Sequence, residues 1–360
     1  MPTHPSFARA SQGVAVLALA SLTACASVGP NTVSRDRFDY MTTLSDSWKR
    51  QTLVNLVKLR YADAPVFLDV DSVISSYTWE GEVNLGGTSA LTHPDSSLTV
   101  GASGRYSDQP TITYTPLSGA KFARALMTPF TVGTVFALMQ NGYRADGVLR
   151  ICVSSINGVE NAYGGPGSPH PAGREFAALA MVLRNAQLEG RLDIRTTAIE
   201  GKSTLVMKFR PAATPAAASS DAWFVQTLGL DASAPEYTVV QGSFPTNNRE
   251  IAITTRSMLQ VLTDLASYIE VPERDVIEGR VYAPPRTAEQ LRDYPPILRI
   301  RSSKDQPTEA FSAVEYRGHW FWLDDRDVQS KTTFNFIMLM FSLTETGDST
   351  NHPILTVPTR

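Results

Sequence analysis

Two stretches of alternating residues decide how the first half of this chain folds. Residues 77–85 read YTWEGEVNL and residues 98–106 read LTVGASGRY, with apolar residues or glycine at almost every second position. A period of two puts one set of side chains on each face of a strand. The residues between the two stretches are rich in Gly and Ser, which favour turns. We therefore predict a long β-hairpin over 77–106.

Helical and strand patterns are intermixed on both sides of this hairpin. Amphipathic spacing predicts helices, and short apolar or alternating runs predict strands. The expected helices span 45–61, 118–127, 130–141, 174–189, 221–229, 256–269 and 327–344, and the expected strands span 148–156, 191–199, 204–209, 237–241, 250–255, 311–316 and 319–323. Because no regular βαβ series appears, the sequence predicts an α+β fold of antiparallel strands and amphipathic helices.

The expected domain boundary is the low-complexity stretch PAATPAAASS at 211–220, which has no charged residue. Such a composition is typical of a linker. It would separate an α+β unit at 45–210, which contains the hairpin, from a second α+β unit at 221–360. The last helix of that second unit contains FNFIMLMF at 334–341, which is apolar nearly all round. Since this run is too short to span a membrane, we expect a core helix.

The N-terminus has the features of an export signal. Arg9 supplies a positive charge, the apolar run VAVLALA covers 14–20, and the segment ends in Leu22-Thr23-Ala24-Cys25. The run is shorter than the roughly 20 residues that a membrane span needs, and it fits the apolar part of a signal peptide. The four-residue motif resembles the lipobox of bacterial lipoproteins.

This resemblance implies that residues 1–24 are removed and that Cys25 receives a diacylglyceryl group. Residues 25–44 would then form a lipidated tether, and several acyl chains give stable membrane attachment. The residue after the cysteine is Ala26, which by the same resemblance favours the outer membrane over the inner one. The alternative is an ordinary cleaved signal peptide.

Charge and cysteine content limit the expected partners and chemistry. The formal net charge is −3 and no basic stripe occurs, so nucleic acid is not an expected partner. With Cys25 lipidated, Cys152 has no intramolecular partner. Its surroundings, VLRICV at 148–153, predict a small apolar residue buried in a strand rather than a nucleophile.

One motif suggests enzymatic chemistry. Ser118-Gly-Ala-Lys121 resembles the motif of serine β-lactamases and penicillin-binding proteins, in which a nucleophilic serine and its lysine lie one helical turn apart. The resemblance would make Ser118 the nucleophile and Lys121 its partner. The competing interpretation, which we favour, is that Ser118 caps the following helix by accepting a backbone amide.

Metal and ligand sites have weaker support. Three carboxylates before the last helix could bind a cation: Asp324, Asp325 and Asp327. Acidic residues at a helix start more commonly cap it and face its dipole. The histidines are not spaced as metal ligands, and no cofactor is expected. The glycine-rich loop at 158–173 could shape a ligand site, with Tyr163 and His170 as its functional side chains.

Three functions are carried forward as expectations. The first is a non-enzymatic envelope lipoprotein, a scaffold, assembly or secretion-associated component that contacts proteins and is held to the membrane by lipid on Cys25. The second is a homo-oligomeric outer-membrane pore, because the arms of 77–106 approach the roughly 9–11 residues of a tilted transmembrane strand. The alternative for this hairpin is a soluble sheet that packs on its own core. The third function is a periplasmic hydrolase that uses Ser118 and Lys121.

Overall fold

A computed structural model of the chain describes residues 32–74, 77–88, 97–108, 111–165, 169–171, 173–199, 202–281, 287–344 and 355–358. The chain divides into two compact units, Met1–Gln51 and Thr52–Arg360, and the boundary falls inside the first helix. Helices are intermixed with mostly antiparallel strands. The predicted α+β class is therefore confirmed.

The helices and strands are numbered here in chain order. The helices are α1 (Thr32–Arg60), α2 (Gly119–Met127), α3 (Val132–Gln140), α4 (Ala145–Cys152), α5 (Arg174–Leu188), α6 (Pro215–Thr227), α7 (Met258–Ala266), α8 (Glu273–Ile277), α9 (Ala288–Asp293) and α10 (Val328–Thr344). The strands are β1 (Phe67–Ile74), β2 (Tyr77–Thr88), β3 (Ser97–Asp108), β4 (Thr111–Leu117), β5 (Val153–Ile156), β6 (Val159–Glu160), β7 (Leu192–Ile199), β8 (Lys202–Phe209), β9 (Tyr237–Gln241), β10 (Glu250–Thr255), β11 (Arg301–Ser303), β12 (Ala310–Tyr316), β13 (His319–Asp324) and β14 (Leu355–Pro358).

The largest sheet has the strand order β6-β5-β10-β9-β8-β7. Its strands pair antiparallel except β9 and β10, which are parallel. Two smaller sheets have the orders β1-β4-β14 and β11-β13-β12. β2 and β3 form a two-stranded sheet of their own.

The predicted division at 211–220 is wrong as a domain boundary. β8 before this stretch pairs with β9 after it, so the two predicted units share one sheet. Residues from 215 onward begin α6, because the Thr214 hydroxyl accepts the Ala217 amide at 3.2 Å and a proline occupies the first turn. Alanine is also the best helix former, so this run without charges forms a helix.

The predicted core helix at the end of the second unit is confirmed. In α10 the side chains of Phe334 and Ile337 are fully buried, and the exposed large apolar residues are Val328 and Leu343 at its two ends and Leu339. The Phe341 ring stacks on Phe67 of β1 with ring centroids 4.6 Å apart. In the part of the chain that the structure describes, no helix has the length and apolar character needed to cross a membrane.

Two predicted elements differ from the structure. Residues 148–156 were predicted as one strand, whereas the helix α4 ends at Cys152 and the strand β5 starts at Val153. The buried residues Ala145, Val148 and Leu149 recur at helical spacing, and only the last four residues are extended. The first helix begins at Thr32, not at residue 45, so most of the predicted tether at 25–44 is helical.

Candidate functional site

The predicted hairpin over 77–106 is confirmed and is slightly longer than expected. β2 and β3 pair antiparallel from Tyr77 opposite Asp108 to Thr88 opposite Ser97, with twelve residues in each strand. The connecting residues 89–96 lie outside the described part of the chain.

The hairpin continues the register of the strands at its base. In β2 and β3 the numbers of the two residues in each pair add up to 185. The pair of Ile74 in β1 and Thr111 in β4 adds up to the same number. A bulge between Val70 and Ser72 shifts the remaining base pairs by one. The described pairs of β1 with β4 and of β2 with β3 therefore share one register, and we call these four strands together the ribbon. At roughly 3.3 Å per residue, the twelve residues of β2 extend over about 40 Å.

In the described part of the chain, β2 and β3 of the ribbon pair only with each other. In an antiparallel pair about half of the backbone N–H and C=O groups point away from the partner, so both edges can accept another strand. The side chains described here, Glu82, Ser103 and Arg105, are exposed. If the hairpin were part of a soluble sheet, its apolar face would consist mainly of Trp79, Val83, Leu98 and Val100, whose side chains lie outside the description.

The two residues of the predicted hydrolase motif lie at the start of α2. Ser118 occupies the N-cap position in an extended conformation, but its side chain makes no capping hydrogen bond. The position predicted from the sequence is therefore right and the predicted capping bond is wrong. Ser118 and Lys121 are both exposed. The Ser118 hydroxyl therefore lies in solvent and not in an enclosed, desolvated pocket.

The carboxylates before α10 are held by amides and cations of the chain itself. Asp327 accepts the Ser330 backbone N–H at 3.0 Å and the Ser330 hydroxyl at 2.8 Å, which confirms the capping interpretation. Asp325 accepts from Lys331 at 2.7 Å. The Arg326 backbone N–H donates to Asp324 and holds the pKa of that carboxyl below its usual value. Among the described residues no cluster suited to a metal ion occurs.

The predicted apolar role of Cys152 is confirmed, although the residue ends α4 instead of lying in a strand. Its side chain is fully buried. Burial raises the pKa of the thiol to about 12, and the nearby Arg256 lowers it only in part. The thiol is therefore neutral at physiological pH, and the nucleophilic thiolate is not formed.

The described ends of the glycine-rich loop contact a buried arginine that was not among the residues predicted from the sequence. Arg256 is 1% exposed and donates to Asp264 at 2.9 Å and to the Ala162 carbonyl oxygen. Asp264 in turn accepts the Gly164 backbone N–H at 2.6 Å. The predicted ligand-binding side chain Tyr163 has its ring 5.7 Å from the Arg256 guanidinium.

The other predicted residue of this loop, His170, pairs with Tyr163 through two backbone hydrogen bonds of 2.8 and 3.0 Å. Its Nε2 lies 4.0 Å from a Glu160 carboxylate oxygen. Hydrogen bonds therefore link the described ends of the loop to each other and, through Arg256, to the buried core. An isolated arginine between a strand and a helix gives no periodic signal, which explains why the sequence did not reveal it.

Among the cavities of the described residues, two lie away from the glycine-rich loop and from Ser118 and Lys121. One, of about 310 Å³, lies at the start of α10, and its charged lining consists of Arg299, Arg301, Arg326, Asp324 and Asp327. The other, of about 530 Å³, lies between β8 and α6 with Phe209, Val225 and Tyr237 in its wall. Neither cavity includes Ser118, Lys121, Tyr163 or His170 in its lining.

The predicted lipidation residue, Cys25, lies outside the described residues, as do residues 1–24 and 26–31. No family model, no curated protein and no solved structure matches this chain.

Proposed function

We propose that this protein is a non-enzymatic envelope lipoprotein, held to the outer membrane by lipid on Cys25, that acts as a scaffold or secretion-associated component. The observation that carries its contact role is the ribbon, whose distal strands β2 and β3 pair with no third strand among the described residues. Open strand edges bind other strands through backbone hydrogen bonds. The motif Leu22-Thr23-Ala24-Cys25 supports the anchor.

The chemistry of the candidate residues favours a role without catalysis. Ser118 is exposed to water, and the Cys152 thiol is buried and neutral. Asp327 and Asp324 accept hydrogen bonds from the chain around the start of α10. These arrangements are those of structural residues, whereas a nucleophile or a metal ligand needs an accessible and activated site.

The anchor is tested by fractionating cells that carry Cys25→Ser. We expect the wild-type protein in the outer-membrane fraction and the variant outside it. Cys152→Ala is the matched control, because it removes the other cysteine and leaves the lipid site intact. If Cys25→Ser stays in the outer membrane like the control, the anchor proposal is wrong.

The contact surface is tested with a photo-crosslinking residue at Ser103 and, as a control, at Asn185. Both positions are exposed, but Asn185 belongs to helix α5 and not to the ribbon. We expect protein adducts from Ser103 in intact envelopes and none above background from Asn185. Equal yields at the two positions would contradict a contact role for the ribbon.

The length of the ribbon favours a second candidate function, a homo-oligomeric pore. β2 and β3 have twelve residues each, which exceeds the roughly 9–11 residues of a tilted transmembrane strand. A single hairpin in lipid would leave its edge groups without hydrogen bonds, so several copies would have to pair edge to edge.

The register of the ribbon provides a variant that tests the pore. Thr78 lies opposite Ser107, so a two-residue Asn-Gly turn can join them in place of residues 79–106. We call this the short-ribbon variant; it retains the pairing of β1 with β4. If the chain forms a pore, wild-type protein releases a small dye from lipid vesicles and the short-ribbon variant does not. Equal release, or none from the wild type, would exclude the pore.

A further inference from the structure

The part of α1 that belongs to the first compact unit, up to Gln51, carries large apolar side chains that are exposed. Phe38 is 69% exposed, Met41 56% and Trp48 38%. Most of the other side chains between 38 and 51 are exposed and polar. Side chains of this size are rarely left in water as a group, so such a face marks an interaction site.

These three side chains lie on one face of the helix. At about 100° per residue, Phe38, Met41 and Trp48 fall within an arc of about 80°. Thr43, two residues after Met41, lies on the opposite side and is exposed. The segment therefore has a narrow apolar face with an exposed polar side chain opposite it.

The chain between Cys25 and this helix is short. Helix α1 begins at Thr32, and seven peptide steps reach at most about 25 Å from Cys25. Phe38 lies about 9 Å further along the helix axis. An acyl chain on Cys25 therefore keeps the apolar face within reach of the lipid–water interface.

We infer that residues 32–51 lie along the surface of the lipid bilayer, with Phe38, Met41 and Trp48 inserted at the level of the headgroups. This inference rests on the proposed lipid anchor at Cys25. Tryptophan favours the interface because its ring is apolar and its N–H is polar. Residues 32–51 contain four basic and three acidic residues, so a small net positive charge adds to the attraction towards anionic lipids.

The residue pattern favours lipid over a second copy of the helix. A coiled coil needs apolar residues at successive seam positions. Continuing from Phe38 and Met41, the seam would include Ser45 and Thr52 beside Trp48, so polar residues interrupt it. A lipid surface accepts such a face because it requires no interlocking partner.

The test compares Met41→Cys with Thr43→Cys in the full lipidated protein, each labelled with a fluorophore. Cys152 is buried and a lipidated Cys25 cannot react, so the label reports the introduced position. The protein is incorporated into phosphatidylethanolamine vesicles that contain some phosphatidylglycerol. Quenching by nitroxide-labelled lipid and by a water-soluble quencher is then measured.

We expect lipid quenching at Met41→Cys to be several-fold greater than at Thr43→Cys, with the reverse order for the aqueous quencher. Equal quenching at the two positions overturns the inference while the protein still floats with the vesicles and the anchor stands. Protection of Met41→Cys from both quenchers also overturns it, since protein would then cover the face. If unaltered native protein takes up label at Cys25, or fails to float, the anchor itself is wrong.

Discussion

The Arg256 guanidinium lies 2.9 Å from a carboxylate oxygen of Asp264, and the two side chains are only 2% and 10% exposed. Arg256 also donates to the carbonyl oxygens of Arg150 and Ala162. This ion pair therefore connects α4, the glycine-rich loop and α7 in the interior of the unit Thr52–Arg360.

Removing one partner of this buried pair is expected to destabilise the protein strongly. Arg256→Met leaves Asp264 charged and buried, which costs about 3–5 kcal/mol of unfolding free energy. The exposed pair of Arg249 and Asp231, with 3.3 Å between its charged atoms, gives the control, because Arg249→Met should cost less than about 1 kcal/mol. Urea unfolding measures both.

Replacing both partners should cost less than replacing one. In the double variant Arg256→Met with Asp264→Leu, neither charge of this pair remains. We therefore expect a higher unfolding free energy than in Arg256→Met alone. A double variant that is no more stable than the single one would show that the hydrogen bonds to carbonyl groups, and not the charge pair, determine the loss.

The carboxylates before α10 should differ in their effect on stability. Asp327→Ala removes the acceptor for the Ser330 amide and should cost about 1 kcal/mol. Asp325→Ala breaks an exposed contact with Lys331 and should cost less than about 0.5 kcal/mol. Thermal unfolding with and without Ca²⁺ checks the metal alternative. That alternative requires Ca²⁺ to raise the unfolding midpoint of the wild type and not that of Asp327→Ala.

Two serines at helix starts should also differ. Ser257 accepts the Gln260 amide at 3.3 Å within a complete capping box, so Ser257→Ala should cost about 1 kcal/mol. Ser118 makes no such bond, and Ser118→Ala should change the unfolding free energy by less than about 0.5 kcal/mol. A covalent penicillin-type probe that labels wild type and not Ser118→Ala would instead support the hydrolase hypothesis.

Alkaline pH should destabilise the protein partly through Cys152. The ordinary pKa of the thiol is 9.0 and burial raises it to about 12. The folded state therefore favours the neutral thiol, and the resulting stability is complete below pH 9 and is lost as the pH rises towards 12. We expect a shallower decline of unfolding free energy over this range in Cys152→Ala. Parallel pH profiles for the two proteins would contradict the burial of an ionisable thiol.

The sequence predicted those elements whose side-chain pattern follows from burial. The strands at 237–241 and 250–255 and the long hairpin show a period of two or an apolar run, and all of them are present. Helix α10 was predicted because its residues are apolar on nearly every side, which only a buried helix tolerates.

The remaining differences arise where local pattern and tertiary context disagree. The run at 148–153 is apolar throughout, and an apolar run does not distinguish a buried helix from a buried strand. The stretch at 211–220 looks like a linker, yet its alanines and Thr214 form the start of α6. Strand pairing across it depends on residues distant in sequence, as do the contacts of Arg256. Lipidation at Cys25 stays a prediction.

The most direct test of the ribbon as the contact surface is the light-scattering mass of the protein extracted in mild detergent. Wild type and the short-ribbon variant, in which Asn-Gly joins Thr78 to Ser107, are compared with Cys25 intact in both. We predict that wild-type protein is part of an assembly larger than one chain and that the variant is a monomer with unchanged thermal stability. A monomeric wild type, or an assembly of equal mass in the variant, would contradict this account.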